Sequence, residues 1–201
     1  MNNLIIVTGC PGTGKSHWAR LLAGKFPGLQ VLSYDEWKER DWDQYGFDNP
    51  EQKRQSLERS LCAFYRTLDE RMAQGLDLLI EYPFNMRHAP ILAGMIQAHG
   101  YRAVTLHLFG RMDVLYQRAT ARDLEGVRHP GHLLSRYHKG DRPDRTCAHP
   151  DEYASLEEFV AAAERKNYDI SLGVSIPLDV TRFEDIDERA VISRIREATT
   201  L

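Results

Sequence analysis

Gly9-Cys10-Pro11-Gly12-Thr13-Gly14-Lys15-Ser16 decides the reading of this chain, because it spells G-x-x-x-x-G-K-[ST] directly after the apolar run Leu4-Ile5-Ile6-Val7. That context, a strand, then a glycine-rich loop, then a helix opening at Lys15, is what a phosphate-binding P-loop requires. Its glycines let the backbone turn tightly and aim successive N–H groups at phosphate oxygens, while the following helix adds the positive end of its dipole. Lys15 supplies a point charge to the β- and γ-phosphates, and the Ser16 hydroxyl is placed to ligate Mg²⁺. Cys10, Pro11 and Thr13 fill variable positions, and His17 follows in the first helical turn. Residues Gly9 to His17 are therefore the candidate binding loop for a nucleoside triphosphate, with ATP and Mg²⁺ as the expected pair.

The 201 residues suit one domain, 1–201, that buries roughly 70% of its unfolded surface. No signal peptide precedes the first strand, and no apolar stretch approaches the roughly 20 residues of a membrane span, so a soluble cytoplasmic protein without membrane partners is expected. Cys10, Cys62 and Cys147 are odd in number and form no C-x-x-C, which argues against a disulfide framework and a four-cysteine zinc site. A net charge of -3 gives no global attraction to nucleic acid. Oligomeric state is left open.

Strand and helix signals alternate along the chain. Residues 4–8 read as a buried strand and 15–25 as a helix with Trp18, Leu21, Leu22 and Phe26 as its apolar stripe. Leu29 to Tyr34 reads as a second strand, and the polar stretch Glu36 to Asn49 as loop or short helix in which Trp37 and Trp42 cover something. Pro50 opens a long helix that Gly75 stops. Residues 77–82 form a third strand, 85–99 a helix, 102–109 a fourth strand and 112–124 a further helix. Residues 125–150 are polar, rich in Gly, Pro and His, and lack apolar periodicity, which predicts a mobile flap hinged by Gly126, Gly131 and Gly140. Ser155 and Glu158 spell a capping box for a helix ending near Asn167. Val174 to Val180 gives a fifth strand and 187–198 a closing helix, with Asp185 and Glu188 as its capping pair. This alternation requires right-handed crossovers and a parallel α/β sheet covered on both faces, with function at the carboxyl edge of the strands.

The pattern resembles the small P-loop kinases, a group that includes nucleoside-monophosphate, shikimate, gluconate and zeta-toxin-like kinases and chloramphenicol phosphotransferase. The resemblance covers most of the chain. Gly9 to Gly12, Lys15-Ser16 and Trp18-Ala19-Arg20 are most similar in text to the kinase half of phage-type 5′-polynucleotide kinases. It implies a five-stranded parallel sheet of order 2-3-1-4-5, a helical substrate region after strand two, and an arginine-bearing lid, here about 123–150.

Asp35 stands one residue past the second strand, where those kinases carry the carboxylate that takes the proton of the attacking hydroxyl. A carboxylate there orients a poor nucleophile and contributes about 10²- to 10⁴-fold. Asp is also a favoured cap residue, so the plainer alternative is that Asp35 caps the next helix, with Glu36 as its neighbour. Lys38 matches a basic position that contacts substrate phosphate in the polynucleotide kinases, and as simply it is a solvated lysine among Glu36, Glu39 and Arg40. Glu81 ends an apolar strand, a slot from which an acid holds Mg²⁺ or binds the acceptor. Arg87 and His88 follow within reach of an acceptor. Arg118 and Arg122, spaced i, i+4, share a helix face, and the resemblance implies that such a pair closes over the phosphates; a solvated arginine face beside Asp113 and Asp123 is the plainer reading. Arg128 is a further lid candidate. His129, His132, His138, Cys147 and His149 match no zinc spacing, which favours a polar lid over a metal site. Residues 179–182 follow the fifth strand, where this fold places adenine.

Lys15, Asp35, Arg118 and Arg122 thus emerge as catalytic candidates, Asp35, Lys38, Glu81 and Arg87 as acceptor contacts, and Ser16 and Glu81 as metal ligands. The expected activity is transfer of the γ-phosphoryl group of ATP to a hydroxyl of a small molecule. A 5′-hydroxyl polynucleotide kinase is the alternative, and the one case in which nucleic acid is a partner. A nucleotide-gated switch without kinase activity stands in a different class.

Overall fold

The computed structural model describes residues 1–125, 128–142 and 155–201. Five strands, β1 (Asn3–Gly9), β2 (Gln30–Ser33), β3 (Leu78–Glu81), β4 (Arg102–Phe109) and β5 (Val174–Asp179), form one all-parallel sheet of order β2-β3-β1-β4-β5. Among the described residues seven α-helices flank it: α1 (Lys15–Lys25), α2 (Tyr34–Tyr45), α3 (Pro50–Ala73), α4 (Ala89–His99), α5 (Met112–Leu124), α6 (Leu156–Lys166) and α7 (Glu188–Ala198). This is the α/β class and strand order implied by the resemblance.

Alternation along β1 assigns its residues to two cores, since successive side chains of a strand face opposite sides. Ile5 and Val7 pack with Leu79, Leu106 and Leu108 against Trp18 and Leu22 of α1 and Ile195 of α7. Leu4 and Ile6 pack with Leu78 and Ile80 against Phe64 and Leu68 of α3 and Leu92 of α4. β1 is therefore buried on both faces, which is why it reads as a continuous apolar run. Pro177, which cannot donate to a ladder, sits on the edge strand β5.

Several boundaries differ from expectation, for physical reasons. The stretch read as loop or short helix is the twelve-residue helix α2, which begins at Tyr34 and buries Trp42. Ser33 holds its N-cap position yet makes no side-chain cap, because its hydroxyl donates to Glu81 instead. Asp35 is thus inside the first turn and is not the cap. Helix α4 starts at Ala89, since residues 85–88 form a turn closed by the His88 N–H on the Asn85 carbonyl. Asp187, not Asp185, caps α7, accepting from the Ala190 N–H. Asn49 and Ser155 cap α3 and α6.

The described part of the lid, 128–142, lies against α2 and α3. Phe47 and Tyr137 exchange two backbone hydrogen bonds of 2.8 Å each, and Trp42, Phe47 and Tyr137 form a third apolar cluster with Leu57 and Leu134. Gly131, expected as a hinge, packs so tightly on Trp42 that a Cβ there would collide with the indole. Gly126, Cys147 and His149 lie outside the described residues. Among those described, no helix is long and apolar enough to cross a membrane.

Candidate active site

The loop from the end of β1 to α1 is held by contacts that only its own sequence allows. Gly12 adopts φ +82°, and a side chain there would strike the Leu115 carbonyl. Thr13, which the sequence left uninformative, is buried and donates to the Cys10 carbonyl at 2.8 Å, bracing the turn. The Lys15 ammonium donates to the carbonyls of Gly9 (3.1 Å) and Cys10 (2.9 Å). Burial lowers the Lys15 pKa to about 8, against the opposing pull of Glu81 and Asp35. Burial also pushes the Cys10 thiol up to about 11, so it is no thiolate at neutral pH. The N–H groups of Gly12, Gly14, Lys15 and Ser16 have no acceptor among the described residues, as the first N–H groups of a helix require of some partner. Together they make a cradle of donors that fits phosphate oxygens.

Across the sheet edge, strand order does the positioning. Because β3 lies between β1 and β2, Glu81 at its end falls between the P-loop and Ser33. Glu81 is 6% exposed and accepts from the Ser16 hydroxyl at 3.2 Å and the Ser33 hydroxyl at 2.7 Å. A hydroxyl and a carboxylate in contact suit Mg²⁺, which takes hard oxygen donors and completes its shell with water and substrate phosphates. Among the described residues no group of three or more His, Cys, Asp or Glu side chains is arranged to hold a metal ion.

Asp35 lines the same space from α2, paired with Lys38 one helical turn on. Lys38 is not the solvated lysine of the plainer reading. It is 6% exposed, with its ammonium 4.9 Å from the Tyr82 ring, 5.3 Å from Tyr34 and 5.9 Å from Trp42. The Tyr34 hydroxyl is itself fixed on the Leu57 carbonyl at 2.7 Å. Burial alone would raise the Asp35 carboxyl, but the Lys38 ammonium bonded to it, with Arg128 behind, outweighs burial and holds it well below the usual carboxylate range.

The arginine pair shares one cavity but is divided between two tasks. Arg118 donates to the carbonyls of Val180 (2.5 Å) and Thr181 (2.9 Å) and stacks 4.1 Å from the Phe183 ring centroid, so it braces the loop after β5. Arg122 turns instead to Asp123, which also binds Arg128; four bonds of 3.0 to 3.1 Å converge on this carboxylate, 4% exposed. A cavity of about 520 Å³ brings these groups together: Gly12, Lys15 and Ser16 at one end, Asp35, Lys38 and Trp42 at the other, Glu81 between them, and Arg118, Arg122 and Arg128 alongside.

Other expected residues fall elsewhere. Arg87 is exposed and does not line the cavity; its N–H closes a turn on the Asn85 side chain. His88 is engaged by the Tyr65 hydroxyl at 2.7 Å. Three lid histidines each meet a separate carboxylate, His129 with Asp43, His132 with Glu39 and His138 with Asp48. Asp179 accepts from the Thr181 N–H and Arg182 pairs with Glu184 and Asp185. Sequence reasoning placed the turn from Tyr82 to His88 beside the acceptor without giving Tyr82 or Asn85 a role, and it missed Asp123 and Phe183. Only Asp123 had a signal, as an acid amid Arg118, Arg122 and Arg128.

A family model described as an AAA domain matches residues 4–140, more than half of the chain. Among solved structures, a candidate kinase from Chloroflexus aurantiacus J-10-fl is 25% identical, covers 98% of each chain and superposes with a TM-score of 0.76. A gluconokinase from Sinorhizobium meliloti 1021 is 17% identical over 97% of this chain and 94% of its own, with a TM-score of 0.55. The tunicamycin resistance protein of Deinococcus radiodurans is 14% identical over 98% and 95%, also with a TM-score of 0.55. No curated protein matches the sequence.

Proposed function

The chain belongs to the AAA-domain family, within the P-loop kinase group, and on that premise we propose that it is an ATP- and Mg²⁺-dependent kinase acting on a hydroxyl of a small molecule. One observation carries the reading: a single cavity joins a triphosphate loop at one end to a carboxylate, Asp35, at the other. Residues 1–201 serve as one domain in this reading, with about 123–150 as the lid.

Each residue has a task that its geometry supports. The P-loop N–H groups and Lys15 bind the β- and γ-phosphates. Ser16 and Glu81 would hold Mg²⁺, which neutralises charge on the transferring group when bound. Asp35, kept ionised by Lys38, accepts a hydrogen bond from the acceptor hydroxyl and so orients its oxygen toward the γ-phosphorus. As the new O–P bond forms and the bond to ADP breaks, the hydroxyl proton passes to the Asp35 carboxylate. Arg122 and Arg128, planar and permanently charged, suit the spread charge of that transition state. Arg118 and Phe183 build the wall beside the loop after β5 and serve the base.

The test pairs binding with turnover. Lys15→Ala and Ser16→Ala should each weaken Mg–ATP binding in calorimetry by about 1.5 to 3 kcal/mol. Asp35→Asn should keep that binding and cut transfer at least about 10²-fold. Unchanged affinity in both P-loop variants would overturn the nucleotide assignment, and unchanged transfer in Asp35→Asn would remove the base.

A further inference from the structure

The acceptor half of the cavity is rich in cations, yet every one of them is already engaged. Lys38 is held by Asp35 and three rings. Lys53, reaching in from α3, donates to the Leu134 carbonyl at 2.8 Å and lies 5.2 Å from the Phe47 ring and 5.9 Å from Trp42. Arg122 and Arg128 share Asp123, and the donors left to them are those given above to the transferring phosphoryl group and not to the acceptor. His132 meets Glu39 at 3.0 Å and stands edge-on to Trp42 at 4.8 Å. Burial, with Lys38 and Arg128 nearby, keeps that imidazole neutral.

We infer that the acceptor is an uncharged hydroxylated compound with a flat C–H or aromatic face, rather than an acid or a phosphate ester. This rests on the kinase reading and names the substrate class of that site. An anion seeking Lys38 must draw its ammonium away from Asp35 and out of a cage of three rings. It would strip Asp35 of its counter-charge while placing a second negative charge beside it. One ammonium cannot serve both the carboxylate that orients the hydroxyl and an anionic group on the same acceptor.

What the wall still offers is neutral recognition. The Asp35 side chain is 41% exposed and presents a carboxylate oxygen to a hydroxyl donor. Asn85, whose Oδ1 is taken by the Arg87 N–H, offers its amide as a donor. Leu57, Tyr82 and Pro83, each only partly buried, supply the apolar surface on which a sugar ring or an aromatic ring lies flat, and the buried Trp42 backs it. Donor, acceptor and flat face are the needs of a neutral polyol or hydroxylated ring, and none of them is a free cation.

The experiment reads the acceptor wall directly. With the P-loop saturated by Mg–AMP-PNP, inorganic phosphate and D-gluconate are titrated separately into the protein. The probes are the NMR shifts of the Asn85 side-chain amide and the Trp42 indole N–H. The wild type should show no saturable shift at millimolar anion. Asp35→Asn, which releases Lys38, should bind phosphate at least about tenfold more tightly than the wild type. Saturable millimolar binding of either anion to the wild type overturns the proposal, and so does an Asp35→Asn variant that gains none. In transfer assays on matched pairs, D-glucose with D-gluconate and thymidine with its 3′-monophosphate, a higher kcat/KM for the neutral members supports it and the reverse overturns it. Failure of the kinase reading itself shows separately, as a P-loop that Mg–AMP-PNP does not saturate or as a saturated protein that transfers phosphate to no hydroxyl compound, charged or neutral.

Discussion

Asp123→Asn isolates the carboxylate on which the lid arginines converge. Asp123 accepts two bonds from Arg122 and two from Arg128, all between 3.0 and 3.1 Å, and is itself 4% exposed. Asparagine keeps the shape and one oxygen, but it removes the charge and turns an NH₂ group toward guanidinium donors. Hydrogen bonds to charged groups contribute about 1.5 to 3 kcal/mol each, and breaking a fully buried pair costs about 3 to 5. Arg122 and Arg128 are 44% and 25% exposed, so water screens part of the interaction. The loss should therefore be about 2 to 3 kcal/mol, below the fully buried figure. In a chain of this length that lowers Tm by about 4 to 12 °C. Urea unfolding should show a lower midpoint with an unchanged slope. A cycle with Arg128→Met should return a coupling of at least about 1 kcal/mol. A stability change within about 0.5 kcal/mol, the range of ordinary surface substitutions, would refute the reasoning and return both arginines to a solvated face.

Four further outcomes can be measured. Folding lowers the Lys15 pKa from 10.5 to about 8, so between those values the unfolded chain binds more protons and this group adds stability as pH rises through the window; Lys15→Met should remove that increment from a pH series of urea midpoints. For the same reason Mg–ATP binding near pH 8.5 should take up protons, measured by calorimetry in buffers of different ionisation enthalpy, and zero uptake would mean that Lys15 does not reach the phosphates. Arg118→Lys, which loses both the planar fork and the stack on Phe183, should weaken nucleotide binding as well as turnover, whereas Arg122→Lys should lower turnover more than it raises the KM for ATP. Short RNA and DNA oligonucleotides should not be labelled at their 5′ ends; efficient labelling that falls steeply between two ionic strengths, by about 0.7 in log affinity per log salt for each phosphate contacted, would instead favour the polynucleotide alternative.

What could be read from the sequence, and what could not, divides at the sheet edge. Glu81 was recognisable as an acid closing an apolar strand, and Ser16 as the last residue of the P-loop. Once the order 2-3-1-4-5 is accepted, β3 must lie between β2 and β1, so the contact of Glu81 with both Ser16 and Ser33 follows from topology alone. Backbone pairing is regular, and a motif at a strand end inherits that regularity. Lys38 had no such support. Its local text, Glu36-Trp37-Lys38-Glu39-Arg40, is that of a solvated helix, and its burial comes from Tyr82 at the end of β3, Trp42 a turn further along α2, and a lid that packs on Trp42 through Gly131. Asp123 was hidden in the same way, because nothing in the local text pairs Arg122 on α5 with Arg128 beyond its end until the buried carboxylate they share is seen. The nucleotide half of the site is thus written in motif and strand order, while the acceptor half arises from side chains meeting across α2, α3 and the lid. Substrate choice belongs to that second half, where a single contact, Lys38 on Asp35, commits a cation to the carboxylate and withholds it from the acceptor.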